Sequence, residues 1–389
     1  MIYFDNSATT RICEEALKTY VEVSGSQFGN PSSLHALGFE AERTLEDCRK
    51  QIRLSLGVRD GAIIFTSGGS ESNNLAIFGR AYAKERYRRG AKILTTAGEH
   101  ASVTVPLERL ADEGYRVVYI PTKNGTLDMD VLSREMTSDV ILVTMMMVNN
   151  ETGACYNLAA VSQIMKRQSP EAVLHVDATQ SYMKLAFTAA SVGADMISIS
   201  SHKIEGPKGV GALYVHPDII TKRGLAARIL GGGQEGGLRS GTENVPAIAA
   251  FATASSIALA HRTERIDCVR GMTESLIRRL REDARLGGVS VTEPPVRAPH
   301  IVNITLPGIK SETMLHFLSS KGICVSSGSA CSSHGTHGSP ALIAYGHTQA
   351  QADCSLRISL SHRNTEEEIT CFLEALAEGV GRLSRMRRP

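Results

Sequence analysis

The sequence carries almost no net charge and has no long apolar run. Its 42 basic and 40 acidic residues leave a formal net charge of +2 over 389 residues. Such a balance creates no field of one sign, so charge gives no support for binding to nucleic acid or to a membrane surface. No apolar run approaches the roughly 20 residues that are needed to span a bilayer. We therefore expect neither a direct nucleic-acid partner nor a membrane partner.

Two further patterns are missing from the sequence. Met1 is followed within a few residues by Asp5 and Asn6, without the apolar region of a secretory signal. The eight cysteines lie at irregular spacings, unlike the dense cysteine framework of a small secreted domain. The sequence therefore predicts a protein of the reducing cytoplasm.

Strand-like and helix-like segments alternate up to about residue 260. Strands that alternate with helices indicate an α/β domain with a mainly parallel sheet, here of seven strands. Beyond residue 260 the pattern becomes helix, strands and helix without this alternation. We expect a large domain at 12–260 and a smaller α+β domain formed by 1–11 and 261–389. The seven strands of the large domain are predicted at 62–66, 92–95, 117–120, 140–144, 173–177, 196–200 and 211–215.

Polar residues follow several of the predicted strands. In parallel sheets, ligands bind beyond the carboxyl ends of the strands, so a set of polar residues at these ends predicts a pocket. The first strand runs into SGGSES (67–72), which precedes a helix predicted at 74–89. A helix start offers free N–H groups to an anion, although an ordinary capped turn is the alternative. The polar residues at the strand ends are Glu99, His100, Asn149, Asn150, Glu151, Asp177, Gln180, His202 and Lys203.

Lys203 lies directly after a buried-looking strand, where a lysine is able to form an imine. Most lysines are solvated surface cations, so the neighbouring residues must decide. A pyridoxal phosphate enzyme needs an imine-forming lysine, a carboxylate for the pyridinium nitrogen, a phosphate cradle and groups that hold the ring. Asp177 supplies a carboxylate, and Gln180 and His100 offer contacts to the ring. Taken alone, Asp177 could equally well be a residue that caps the next turn, and His100 could be an ordinary loop histidine.

Nine segments of the sequence form a recognisable series. They are FDNSATT (4–10), GNPSSLH (29–35), FTSGGSESNNLAI (65–77), EH (99–100), VNNETG (148–153), HVDATQ (175–180), SSHKIEGPKGVGALYV (200–215), GGGQEGGLRSGTENV (231–245) and SSGSAC (326–331). In this order they resemble the cysteine desulfurases of the NifS/IscS type. Those enzymes belong to the class V aminotransferase-like pyridoxal phosphate enzymes of fold type I, and the resemblance covers nearly the whole chain. It implies a fold-type I large domain with helices on both faces of its sheet, and the smaller domain.

The resemblance implies a role for each matching residue. Lys203 is the aldimine lysine, Asp177 the partner of the pyridinium nitrogen and Gln180 the partner of the phenolic oxygen. His100 stacks on the ring and takes part in catalysis. Asn150 and Arg357 hold the substrate carboxylate, and Asn150 also contacts the cofactor. Thr242 reaches the phosphate from the neighbouring subunit, which implies a homodimer. The phosphate is otherwise held by Gly69, Ser70, Ser200 and His202.

Cys331 is the nucleophile that the resemblance implies, on a small, polar, Gly-rich loop at about 325–340. Its thiolate takes the sulfur of L-cysteine, releases L-alanine and keeps the sulfur as a persulfide. A sulfur acceptor or an iron–sulfur scaffold protein then receives it, and Cys331 would ligate iron only in transit with that partner. His334 and His337 follow at metal-like spacing, but two ligands in a loop do not make a closed site. We expect no metal site in the isolated chain.

Gly236 departs from the family pattern, because an arginine is common at this position. Two other interpretations stay open beside the cysteine desulfurase, and Gly236 is a hint only for the second of them. One is a selenocysteine lyase or another C–S lyase of the same fold, which would not need Cys331 for turnover. The other is a catalytically weak paralogue that binds acceptors or regulates, although intact Lys203, Asp177 and Cys331 argue against it.

Overall fold

The computed structural model describes residues 1–84, 87, 90–327 and 339–385. The strands are β1 (Ile2–Tyr3), β2 (Ala62–Thr66), β3 (Lys92–Thr96), β4 (Arg116–Ile120), β5 (Thr122–Lys123), β6 (Thr126–Leu127), β7 (Val140–Met146), β8 (Val173–Asp177), β9 (Met196–Ser200), β10 (Gly211–Val215), β11 (Ser290–Val291), β12 (Ile301–Thr305), β13 (Ile323–Cys324), β14 (Ser326–Ser327) and β15 (Ser355–Ser359). The α-helices are α1 (Glu14–Ser26), α2 (Ala36–Ser55), α3 (Gly69–Tyr82), α4 (Ala101–Asp112), α5 (Met129–Glu135), α6 (Leu158–Gln168), α7 (Ala189–Val192), α8 (Pro217–Thr221), α9 (Val245–Ala260), α10 (Arg262–Glu282), α11 (Ser311–Ser320), α12 (Pro340–Tyr345), α13 (Gln349–Asp353) and α14 (Glu366–Arg385).

Within these residues the largest sheet has seven strands, in the order β2-β10-β9-β8-β7-β3-β4. Strand β10 runs antiparallel to both of its neighbours, and the other pairs in the sheet are parallel. Strands β7, β8, β9 and β10 are buried at every position. Burial on both faces is typical of a parallel sheet that is covered by helices. The predicted α/β class with a mainly parallel seven-stranded sheet is confirmed.

Side chains that alternate along the strands divide this sheet between two hydrophobic clusters. Leu213 packs in the cluster that includes helices α3 and α4. Its neighbour Tyr214 packs in the other cluster, with residues of α1, α2 and α9. Successive side chains of a strand point to opposite faces, so the sheet is a central layer with helices on both sides.

Helix α3 begins at Gly69, five residues before the predicted start. Gly68 adopts φ +152°, and its carbonyl accepts the first helical bond from the Ser72 N–H at 3.1 Å. Glycine and serine have low helix propensity, so the prediction treated SGGSES as a loop. The first turn of a helix tolerates them well, because its N–H groups have no partner within the helix. Gly69 and Ser70 therefore present N–H groups at the helix start.

A second unit is built on the antiparallel sheet β11-β12-β15-β14. Its hydrophobic cluster joins Phe4, near the start of the chain, to residues from Val269 onward such as Leu356 and Phe372. Strand β1 pairs in parallel with β13. A capping box begins the last helix, because Glu368 N–H donates to Thr365 Oγ1 and Thr365 N–H donates to Glu368 Oε2, both over 3.3 Å. We propose on these grounds that the chain divides near residue 260.

The carboxyl ends of the parallel strands lie along one edge of the large sheet. Strand β8 ends at Asp177, and β9 ends at Ser200 and leads into a short 3₁₀ turn, Ser201–Lys203. The segment after β1 passes this edge, where the Thr10 N–H donates to the carbonyl of His202 at 2.9 Å. Strand β15 brings the small unit to the same place. Among the described helices, none is long and apolar enough to cross a membrane.

Candidate active site

A cleft of about 510 Å³ lies at this edge of the sheet. The structure brings ten of the twelve predicted site residues together in its lining. Thr242 is exposed and lines a separate cavity, and Cys331 lies outside the described residues. The ten are Gly69, Ser70, His100, Asn150, Asp177, Gln180, Ser200, His202, Lys203 and Arg357.

Lys203 is held at the end of its 3₁₀ turn by the chain's N-terminal segment. Its Nζ donates to the carbonyl oxygens of Ser7 and Ala8 at 2.6 and 2.9 Å. The adjacent His202 places Nδ1 3.1 Å from Thr9 Oγ1. Burial lowers the pKa of His202 to about 4, and nearby lysines, Lys203 first among them, act in the same direction. His202 is therefore neutral near pH 7 and offers an N–H donor rather than a charge.

Asp177 is fixed by two donors at the end of β8. Its Oδ1 accepts from the Thr179 N–H at 2.9 Å, and its Oδ2 accepts from Asn73 Nδ2 at 2.8 Å. Asn73 is buried on α3 and also donates to Ser102 Oγ at 2.9 Å. Each carboxylate oxygen accepts more than one hydrogen bond. Asp177 is thus held in place with acceptor capacity left for a protonated ring nitrogen.

His100 caps the start of α4 and faces the cleft. Its Nδ1 lies 3.1 Å from the Ser102 N–H and 2.9 Å from Ser102 Oγ, which fixes the ring at this nitrogen. The surrounding protein desolvates the ring and lowers its pKa, an effect that Asp177 opposes and Lys203 reinforces. Because Nδ1 accepts from the Ser102 N–H, the neutral ring carries its proton on Nε2. Such an imidazole can lie against an aromatic ring.

The start of α3 and Ser200 form a cradle for an anion. The Oγ of buried Ser200 has no hydrogen-bond partner among the described residues. A Cβ atom at Gly69 would lie 2.9 Å from Thr179 Oγ1, so a larger residue would narrow this space. An unpaired buried hydroxyl is costly unless a ligand satisfies it. Together with the free N–H groups of the helix start, these features fit a phosphate group.

Arg357 also lines the cleft and is almost fully buried. Its Nη2 donates to Asp5 Oδ1 at 2.9 Å, and its Nη1 donates to the main-chain oxygen of Asn150 at 3.0 Å. The Nε–H is buried and has no acceptor within the part of the chain that is described. A guanidinium fork with an unused donor suits the carboxylate of a small substrate.

Three predicted pocket residues are buried in the protein and do not line the cleft. Glu99 accepts from Thr96 Oγ1 and from the Met146 N–H, both at 2.7 Å, and burial raises its pKa to about 8. Asn149 and Glu151 are also buried, and Glu151 accepts from Ser339 Oγ at 2.6 Å. A polar residue after a strand can hydrogen-bond to buried main-chain groups as readily as it binds a ligand. For this reason the prediction that these three residues line the pocket was wrong.

Sequence reasoning also missed residues that support the site. Asn73, Asp5 and the Ser7 carbonyl hold Asp177, Arg357 and Lys203. Asn73 and Asp5 lie within segments that carried the family resemblance, which was the available signal.

Gly236, where the sequence departs from the family pattern, has a left-handed backbone. Its φ is +64°, and a Cβ atom at this position would meet no atom of the described residues within 4 Å. Glycine suits this conformation because it has no side chain to strain. His334 and His337 lie outside the described residues, as Cys331 does.

A mainly parallel seven-stranded sheet, a lysine after β9, a carboxylate at the end of β8 and a phosphate cradle at α3 define a fold-type I pyridoxal phosphate enzyme. The sequence matches the class-V aminotransferase family model over residues 2–372, and the chain belongs to this family. The family depends on pyridoxal phosphate, which is the cofactor of this chain.

Individual proteins resemble the chain over nearly its full length. "Cysteine desulfurase IscS 1" of Archaeoglobus fulgidus is 38% identical over 389 residues, which covers 99% of this chain and 98% of that protein. The solved structure of a "NifS-like protein" has a TM-score of 0.90 and 33% identity, and it covers 98% of this chain and 100% of its own. The structure of "SspA in complex with cysteine" has a TM-score of 0.80 and 29% identity, with 94% and 100% covered.

Proposed function

We propose that this chain is a cysteine desulfurase, which converts L-cysteine to L-alanine and leaves the sulfur on Cys331 as a persulfide. The observation that carries the proposal is the pairing, across one cleft, of the cofactor residues with the buried fork of Arg357. That cleft suits an amino acid whose carboxylate is bound by Arg357. The relative from Archaeoglobus fulgidus is named a cysteine desulfurase, and the SspA structure contains cysteine.

Each residue of the cofactor site holds a different part of the cofactor. When bound, pyridoxal phosphate supplies the electron sink that this bond cleavage requires. Lys203 Nζ would hold the cofactor covalently, and Asp177 would accept a hydrogen bond from its ring nitrogen. Gln180 would donate to its phenolic oxygen, and His100 would lie against the ring. Gly69, Ser70, Ser200 and His202 would hold its phosphate, with a contact from Thr242 of a second subunit.

The substrate is held by its carboxylate. Arg357 donates to it from the Nε–H that has no acceptor within the described residues, and Asn150 supports this contact beside it. Asp5 and the Asn150 carbonyl keep the guanidinium in one orientation. Holding the amino acid at this end directs its side-chain sulfur away from Arg357. A substrate held in one orientation has less entropy to lose before it reacts, which favours the reaction.

Cys331 completes the reaction as the nucleophile. Its thiolate attacks the substrate sulfur, an S–S bond forms, and the C–S bond of the substrate breaks. The carbon takes a proton, which His100 moves within the cleft, and alanine leaves. One L-cysteine and one thiol thereby become one L-alanine and one persulfide, so no external oxidant or reductant is needed. A sulfur acceptor or iron–sulfur scaffold protein then takes the sulfur, with Cys331 ligating iron only in transit.

The proposal includes a homodimer in the cytoplasm. Thr242 is exposed and away from the cleft of its own chain, which supports a role in a neighbouring subunit. If two subunits share the site, mixing Lys203→Ala with Thr242→Ala chains should restore activity, because each hybrid holds one intact site. The seven cysteines in the described residues are free thiols, as expected in a reducing compartment, and cell fractionation tests the location.

Two variants test the reaction itself. Cys331→Ala should keep the cofactor's colour and lose alanine formation from L-cysteine, whereas Lys203→Ala should lose the absorption of the covalently bound cofactor. A Cys331→Ala enzyme that turns over L-cysteine at the parent rate would refute the persulfide mechanism. Activity of that variant on L-selenocysteine alone would instead identify a selenocysteine lyase, and a parent protein without turnover would identify a weak paralogue.

A further inference from the structure

The side-chain amide of Gln180 is surrounded by three partners. Its Nε2 donates to the carbonyl oxygen of Ser7 at 2.8 Å. Its Oε1 lies 3.4 Å from Lys184 Nζ and 3.4 Å from His300 Nε2. Gln180 is only 5% exposed, so these contacts decide how its amide group is oriented.

The partners allow one orientation of the amide. With the amide reversed, Oε1 would face the Ser7 carbonyl, which brings two acceptors together, and the NH₂ group would face the Lys184 amine. In the observed orientation, one N–H of Gln180 donates to Ser7 and the second is available to the cleft that Gln180 lines. Lys184 and His300 therefore select the orientation in which a donor faces the cleft.

Lys184 and His300 lie on the far side of Gln180, in a second cavity of about 70 Å³. Lys203 lines both this cavity and the cleft. His300 is 3% exposed, and its Nδ1 has no hydrogen-bond partner among the described residues. Burial lowers the pKa of His300 well below its ordinary value, with Lys184 as the next cause. The neutral ring carries one proton, which we assign to Nε2 because Gln180 Oε1 is its acceptor.

The amine of Lys184 lies near several other charged groups. Burial lowers the pKa of Lys184 to about 7, Lys203 and Arg357 add to the effect, and Glu205 opposes it. The proposed reaction assigns no task to this second lysine. Its contact with Gln180 Oε1 persists in either protonation state, because both an amine and an ammonium donate N–H groups.

We propose that Lys184 is a positioning residue, which with His300 holds Gln180 so that one amide N–H faces the phenolic oxygen of the cofactor and thereby sets the cofactor's proton affinity. The proposal rests on the role of Gln180 in the proposed function. A donor at the phenolic oxygen stabilises its anionic form and so favours loss of the shared proton. Without Lys184 the amide oxygen loses one of its two donors, so the amide N–H is held less firmly towards the phenolic oxygen, and the cofactor should hold its proton to a higher pH.

The test is a pH titration of the absorption of the bound cofactor, without substrate. Lys184→Met should raise the midpoint by about one pH unit, a tenfold change in proton affinity, and Lys184→Ala should raise it in the same direction. Lys184→Arg, which keeps N–H donors, should stay near the parent. Lys166→Met, at an exposed lysine of α6, is the matched control and should leave the midpoint unchanged.

A double-mutant cycle separates positioning from a direct effect of the lysine's charge. In a Gln180→Ala background, Lys184→Met should cause no further shift if Lys184 acts through Gln180. An equal shift in both backgrounds, or none in the parent background, would overturn the proposal. Alanine formation by the parent enzyme is measured separately, so a failure of the desulfurase proposal is recognised independently of the titration.

Discussion

The guanidinium of Arg357 donates from Nη2 to Asp5 Oδ1 over 2.9 Å, with only 7% of the Arg357 side chain exposed. This ion pair joins strand β15 to the segment that follows β1, at the rim of the cleft. The same segment supplies the Ser7 and Ala8 carbonyls that hold Lys203. One stretch of a few residues therefore positions both the cofactor lysine and the substrate arginine.

Replacing Asp5 should weaken substrate binding. Asp5→Asn removes the negative charge of the acceptor, so the guanidinium is held less firmly in its orientation. We expect the KM for L-cysteine to rise about tenfold with little change in kcat, because the carboxylate contact is equally strong before and during the reaction. Steady-state kinetics measure this, with Asp353→Asn at an exposed residue of α13 as the control. An unchanged KM would mean that Asp5 does not position Arg357.

Filling the phosphate cradle should weaken cofactor binding. In Gly69→Ala the new methyl group meets Thr179 Oγ1 at 2.9 Å, and overpacking of this kind typically costs about 1–3 kcal/mol. The Kd for pyridoxal phosphate should rise roughly tenfold or more when the apoenzyme is titrated by absorbance. In Gly25→Ala on α1, the added Cβ meets no atom of the described chain within 4 Å, so the Kd should not change. Equal affinities of the two variants would contradict the proposed cradle.

His175 should make the apoenzyme sensitive to acid. It is buried in β8 between Thr144 Oγ1 and Ser198 Oγ, at 2.8 and 2.9 Å, and burial lowers its pKa to about 4. Between pH 6.5 and about 4 the unfolded chain binds a proton at this residue that the folded chain does not. Stability is therefore retained above pH 6.5 and falls as the pH drops towards 4, by up to about 3 kcal/mol.

The urea midpoint of unfolding, recorded from pH 7.5 to pH 4.5, measures this dependence. His175→Gln should be less stable than the parent at pH 7.5, because a buried hydrogen bond is lost, but should show a shallower decline in acid. His316→Gln, at an exposed position on α11, should follow the slope of the parent. A parallel decline of the parent and His175→Gln would exclude His175 as the source.

Glu205 should tie the large unit to the small one. It is buried two residues after Lys203, and its Oε1 accepts from Arg363 Nε at 2.6 Å, while Arg265 Nη1 lies 3.5 Å from its Oε2. Glu205→Gln leaves these cations without a counter-charge. We expect a loss of about 1–2 kcal/mol, reduced because Arg363 is 45% exposed. In the same urea titration, Glu264→Gln, whose side chain is 81% exposed, should change stability by less than about 0.5 kcal/mol.

The sequence predicted the central sheet well because its signals are local. Strands β8, β9 and β10 occupy the predicted residues 173–177, 196–200 and 211–215, since apolar runs between turns specify buried strands directly. The start of α3 was predicted five residues too late, because helix propensity is a poor guide in the first turn. Lys203 and Asp177 were placed at strand ends by the same local logic, so their presence in one cleft could be anticipated.

Contacts between distant segments could not be predicted in this way. The partnership of Asp5 with Arg357 and that of Asn73 with Asp177 depend on how the units pack. Nothing local distinguishes Glu99, which satisfies buried groups, from His100, which lines the cleft. The orientation of Gln180 likewise depends on Lys184 and on His300, and His300 lies 120 positions from Gln180 in the sequence.

The 352 positions that separate Asp5 from Arg357 have a consequence for biosynthesis. On the ribosome, the residues that a chain contributes to its own cofactor pocket are all synthesised once Lys203 has been added. The arginine that binds the substrate follows 154 residues later (357 minus 203). The cofactor residues and all seven strands of the large sheet, the last of which ends at Val215, are therefore synthesised well before Arg357. The guanidinium can hold a substrate in the cleft only after strand β15 has been added, long after the cofactor residues have been made.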